Sequence, residues 1–178
     1  MALERRFETV EFAAPTGTRV KIMTWLSFGI VAGFVGFNIA LAFYLPRKAF
    51  WPVVLSPTVG LAVILPVWIF ARIKSYQLGT GELQVLRVSR VNRFALAGLE
   101  QVEHDPQAMD GARKSIGNDG LGAITGNFKS KRLGKFEVLA TDHKRTVVLR
   151  WPDHVLVVSP ERPGDFVDEV RARAGLRR

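Results

Sequence analysis

The sequence predicts an α+β membrane-anchored protein: a transmembrane helical hairpin followed by an antiparallel β-barrel or sandwich, capped by a C-terminal helix. Three observations predict it. Ile22–Leu45 runs 24 residues without a charge, and Val53–Ala71 adds 19 more. From Ser75 onward, short segments of alternating polarity recur at roughly ten-residue spacing, with turn residues between them. The chain then changes period, and Phe166, Val167, Val170 and Ala174 fall on one helical face.

Residues 1–21 form a polar N-terminal segment. Arg6–Phe12 alternates imperfectly and is a candidate strand, which has to pair with another sheet to be stable; the C-terminal domain is the expected partner, and a surface segment or frayed tail is the alternative. Ala13–Gly17 breaks regular structure. Residues 22–45 are the first expected span and residues 53–71 the second, each long enough for a hydrocarbon core about 30 Å thick. Residues 46–52, with proline at both ends, form the short outer loop. A signal peptide does not fit the first run, because its leader is long and a second apolar run follows. Arg5, Arg6, Arg19 and Lys21 before the hairpin and Arg72 and Lys74 after it outnumber Arg47 and Lys48 in the loop, so both termini are expected on the cytoplasmic side. Trp25, Tyr44, Trp51 and Trp68 lie near span ends, where amphipathic rings settle. Gly29, Ala32, Gly33, Gly36 and Ala40 form a small-residue ridge that suits either packing against the second span or a dimer contact. Neither span carries an ionisable residue that a transport path would need.

Residues 75–178 are the expected cytoplasmic domain. Strands are read at Glu82–Val88, Val91–Leu96, Leu99–Glu103, Phe136–Ala140, Thr146–Trp151 and His154–Val158, with His104–Gly120 as a long loop. About seven strands in all are expected. Asp165 is expected to cap the last helix, whose arginines cluster late as the helix dipole favours, and Gly175 ends it.

Chemistry is sparse. The chain has no cysteine and only three histidines, so neither thiolate catalysis nor a metal cluster is expected. Gly120, Gly122 and Gly126 miss the dinucleotide spacing by one residue, and no βαβ unit surrounds them. The pairs His104-Asp105, Asp142-His143 and Asp153-His154 are sequence neighbours in loops and turns, and Ser115, Ser130 and Ser159 lack a nucleophile elbow. No cofactor and no enzymatic activity are expected. From Arg72 onward there are 19 Lys and Arg against 13 acids, a net +6, without the motifs of a nucleic-acid binder; no nucleic-acid partner is expected. The densest charge is Lys129, Lys131, Arg132 and Lys135, flanked by Phe128 and Phe136. These four residues are the candidate lipid- or partner-binding site, the alternative being a solvated turn.

Gly126-Asn127-Phe128, Lys131 to Phe136, Ala140-Thr141-Asp142, Val157-Val158-Ser159-Pro160 and Phe166 resemble the bacterial pleckstrin-homology (PH) domain family over about residues 75–173. The resemblance implies a PH-like antiparallel β-barrel or sandwich closed by the C-terminal helix, often oligomeric, with two transmembrane helices ahead of it and no catalytic residues. The eukaryotic phosphoinositide site needs a basic loop between the first two strands, and Val88-Ser89-Arg90 with Arg87 and Arg93 falls short of it. The expectation is a multi-pass protein of the bacterial inner membrane with both termini cytoplasmic. Its expected partners are the lipid bilayer and a protein or a second copy of the chain, with anionic lipid headgroups at the basic loop as the alternative.

Overall fold

The computed structural model describes residues 9–44 and 46–176. Arg5 and the first part of the candidate strand, residues 6–8, lie outside them. The rest of that strand does pair: β1 (Val10–Ala13) lies antiparallel to β2 (Ile73–Leu78), with Phe12 opposite Tyr76. Between these neighbours the chain leaves for α1 (Thr18–Ala42), turns, and returns as α2 (Arg47–Ala71). The helical hairpin is therefore an insertion between two adjacent strands of one sheet.

α1 is 25 residues long with a mean hydropathy of 1.8 over its most apolar window, long and apolar enough to cross a membrane. Only 6% of that window is buried, which distinguishes it from the core helix of a globular domain. Among the described residues this is the one helix that meets both criteria; α2 contributes a shorter apolar stretch, Val59–Ala71. Ile22, Leu26, Ile30, Phe34 and Phe37 on α1, and Val59, Val63, Val67 and Phe70 on α2, present large apolar side chains outward. The helices meet through Phe28 and Trp68, edge to face with centroids 5.4 Å apart. Of the small-residue ridge, Gly29, Gly33 and Gly36 have no described atom within 4 Å of where a side chain would begin.

The strands do not close into a barrel. β1 and β2 continue into β3 (Glu82–Arg87) and β4 (Val91–Ala95) as one four-stranded sheet. Leu96 and Leu99 then turn into the core around Gly98, whose φ of 75° favours glycine, and this breaks the ladder. The next strand, β5 (Gln101–His104), pairs instead with β9 (Val147–Arg150). With β6 (Arg113–Asp119), β7 (Ile124–Ser130), β8 (Gly134–Ala140) and β10 (Val155–Val158) they form a six-stranded sheet in the order β5-β9-β10-β8-β7-β6. Nor is it antiparallel throughout, because β10 runs parallel to β8. Val155–Val158 is an unbroken apolar run, as a strand covered on both faces should be. The expected long loop 104–120 contains β6, a polar and largely exposed edge strand with no alternation to betray it. The described residues thus hold ten strands rather than about seven.

Two cores follow. Between the sheets, Tyr76, Leu78, Leu83, Val85, Val102, Leu149 and Leu156 pack beneath α3 (Pro163–Ala174), which buries Phe166, Val167 and Val170. The outer face of the six-stranded sheet buries Ile124, Phe128, Phe136, Val138, Val148 and Val157, together with Val20 from the first turn of α1. Asp165 does not cap α3. Arg162 is the capping residue, Pro163 opens the helix, and Asp165 sits in the first turn 3.0 Å from Arg162. The late arginines are ties to the sheets: Arg171 donates to the Val102 carbonyl, while Arg173 donates to those of Leu78 and Gly79 and pairs with Glu169 at 2.7 Å. Gly175 ends α3 at φ 71°, as expected.

Candidate functional site

Two regions carry polar groups with work to do beyond the ladders. The first is the β7–β8 hairpin, which holds all four predicted site residues. Phe128 and Phe136, which flank the charges in sequence, are opposite one another and buried in the outer core. Leu133 is buried with them, and its N–H donates to the Ser130 hydroxyl at 3.0 Å, closing the turn. The inward pull of these three apolar side chains leaves Lys129, Lys131, Arg132 and Lys135 exposed. Lys129 is opposite Lys135 on one side and Arg113 of β6 on the other. Like charges in cross-strand register weaken a sheet, so the fold itself gains nothing from this row of three cations. Arg113, Lys129, Lys131 and Arg132 line a cavity of about 740 Å³ beside Gln107 and Asp110; Lys135 is outside it. Arg132 is already paired with Asp105. Arg113 has no mark in the sequence, because β6 carries no alternation that distinguishes it from loop.

The second region is the root of the helices. The β6–β7 turn is wedged between α1 and α2. The Thr24 hydroxyl donates to the Gly120 carbonyl at 3.2 Å and accepts from the Gly122 N–H at 3.1 Å. Gly122 has φ 79°, and a Cβ there would meet the Trp68 carbonyl at 2.8 Å. Arg19 reaches Asp119 at 3.3 Å. The glycine-rich stretch that superficially suggests a nucleotide loop is explained by these close approaches. Nothing in the sequence marked Thr24 or Gly122 as the fastening point; only their pairing across 98 positions does.

Behind this root lies a buried polar cluster. The Tyr76 hydroxyl donates to the Leu139 carbonyl at 2.9 Å and accepts from the Ser159 N–H at 3.2 Å. The Ser159 hydroxyl accepts from the N–H groups of Thr141, at 2.7 Å, and Asp142, at 3.1 Å. Thr141 in turn donates to the Pro15 carbonyl at 2.8 Å, and its own carbonyl accepts from the Gly17 N–H at 2.8 Å. Burial raises the Tyr76 phenol to about 12, against the opposing pull of its bonds to Ser159 and Thr141. These groups tie both sheets to the segment that leads into α1. His143, half-buried beside them, is held below its ordinary pKa chiefly by burial and next by the Arg19 guanidinium, against the opposing pull of Asp119, Asp142 and Asp110.

The two regions are separated along the sheet. β7 starts beside the helix root and ends at the hairpin, seven residues and about 20 Å further on. Comparison with known proteins places the domain: the sequence model of the bacterial PH domain matches residues 74–174. No curated protein and no solved structure matches the chain.

Proposed function

The chain belongs to the bacterial PH domain family, and from that premise we propose that it is a binding and assembly module held at the cytoplasmic face of a bacterial membrane by its helical hairpin. The observation that carries the reading is the pairing of β1 with β2 around the inserted helices, which delivers both helices to the same side of the domain. In this reading α1 and α2 both cross the bilayer, the turn between them lies outside, and residues 75–178 work inside. Apolar side chains facing outward on both helices support it. So do Arg19, Lys21, Arg72 and Lys74 at the domain end.

The surface offered to a partner is the basic row Arg113, Lys129 and Lys135 with Lys131 and Arg132 at the turn. About 20 Å of strand separates it from the helix root, between two and three Debye lengths of about 8 Å at physiological salt, which favours an acidic protein surface over the chain's own headgroups. The domain recruits rather than reacts; no residue is assigned a catalytic step.

The test uses the full chain in native membranes with a photoreactive side chain at Lys131. A defined protein adduct, lost when Lys129, Lys135 and Arg113 become Ala, supports the module. In parallel, the chain in neutral nanodiscs is mixed with anionic vesicles. Capture by those vesicles at physiological salt, with no protein adduct, would transfer the hairpin to headgroup binding.

A further inference from the structure

The helical hairpin is not filled on one side. α1, α2 and the β6–β7 turn enclose an open groove of about 970 Å³, at the upper end of the roughly 300–1,000 Å³ typical of small-molecule sites. Its domain end holds Lys21, Arg72 and Trp68; its far end is walled by Val35, Gly36 and Leu61. Lys21 to Gly36 spans 15 residues of continuous helix, about 22 Å. A bilayer with headgroups is about 40–45 Å thick, so the groove runs the depth of one leaflet.

The chemistry changes along it in the same sense as a lipid. At the far end the described walls are hydrocarbon, and Gly36 keeps the floor open, with no described atom within 4 Å of its missing side chain. At the domain end the Arg72 guanidinium lies over the Trp68 ring, 5.1 Å from its centroid. Among the described residues neither Arg72 nor Lys21 enters an ion pair, and no acid lines the groove. A second copy of the chain would bring its own Lys21 and Arg72 to this mouth, like charge against like. An anion with an apolar tail is complementary to both ends at once.

We propose that the groove seats one anionic glycerophospholipid of the domain-side leaflet, its phosphate between Lys21 and Arg72 and one acyl chain lying against Val35, Gly36 and Leu61. The proposal rests on the membrane-anchored reading. The lipid fills the space between the helices next to the Thr24–Gly122 fastening, so it belongs to the joint between helices and domain rather than to the basic hairpin.

The test reconstitutes the full chain in nanodiscs and compares mid-chain spin-labelled phosphatidylglycerol with phosphatidylcholine, reading the immobilised fraction. Phosphatidylglycerol is expected to be retained roughly tenfold over phosphatidylcholine, with Lys21→Gln plus Arg72→Gln bringing the two near parity. Lys74→Gln, which removes a cation just outside the groove, leaves the preference intact. Gly36→Leu fills the far end and lowers the immobilised fraction of both labels without lowering thermal stability. An unchanged preference in the double variant, an equal loss in Lys74→Gln, or an unchanged fraction in Gly36→Leu overturns the proposal. Alkaline carbonate washing of native membranes separates the two failures. Release of the chain would overturn anchoring and the groove together; retention without lipid preference overturns the groove alone.

Discussion

Ala13 and Ser75 face each other across an antiparallel ladder although both long helices lie between them in the chain. The helices are thus gripped at both ends by paired strands, and the domain that follows them is incomplete without the residues that precede them. Phe12 shows this most directly: it is buried, and its ring meets Phe166 of α3 edge to face at 5.2 Å. Phe12→Ala is expected to destabilise the domain by about 3 kcal/mol, through lost burial and the cavity left behind. Denaturant unfolding of the full chain in detergent measures it. A fragment beginning at residue 75 is expected to unfold earlier still, lacking all of β1.

The joint between helices and domain depends on a backbone position that only glycine fills. Gly122→Ala combines a left-handed φ with a Cβ pressed to 2.8 Å from the Trp68 carbonyl. It is expected to cost about 1–3 kcal/mol and to change the Trp68 environment. Gly29→Ala, in open helix surface, is the neutral control. Thermal melts followed by tryptophan fluorescence report both.

Tyr76→Phe removes the acceptor of the Ser159 N–H and the donor to the Leu139 carbonyl inside the core. A loss of about 1–3 kcal/mol is expected, far more than an exposed Tyr→Phe change gives. The raised phenol adds a pH signature. The unfolded chain gives up this proton near 10 and the folded chain near about 12, so stability is intact below 10 and falls as pH rises through that interval. The variant should lack this alkaline loss, as unfolding at pH 9 and 11 would show.

At the acid end His143 acts in the opposite direction. Burial and Arg19 lower its folded pKa, so below about 6.5 the unfolded chain takes up the proton first. Stability is full above 6.5 and declines as pH falls through the folded value. His143→Gln is expected to flatten the profile between pH 7 and 5, measured by melting temperature.

How much of this was legible follows from what each element shows in one dimension. The apolar run of α1 and the helical face of Phe166, Val167 and Val170 are strong local signals, and both helices form, α1 at Thr18–Ala42 against the expected 22–45. β6 is an exposed edge whose residues Arg113–Asp119 carry no alternation, so it read as loop and hid Arg113 from the basic row. The parallel pairing of β10 with β8 and the split into two sheets depend on how distant strands meet, which no local pattern encodes. At the hairpin the four cations were visible as charge density, but that Phe128 and Phe136 are core and Lys129 faces Lys135 came only from register. Of the groove between the helices the sequence shows only separate parts, the small-residue ridge with Gly36 and the span-end residues Lys21, Trp68 and Arg72; these and Leu61 come together only when α1 and α2 pack.

In the proposed topology both helices cross one membrane and leave the domain inside. The chain contains no cysteine, so single cysteines read topology without background. We would place one at Lys48, in the first turn of α2, and one at Lys131, in the basic hairpin, and treat intact spheroplasts with a membrane-impermeant maleimide. Labelling is expected at 48 in intact spheroplasts and at 131 only after permeabilisation. Protection of position 48, labelling of position 131 in intact spheroplasts, or recovery of the chain in the soluble fraction would contradict it.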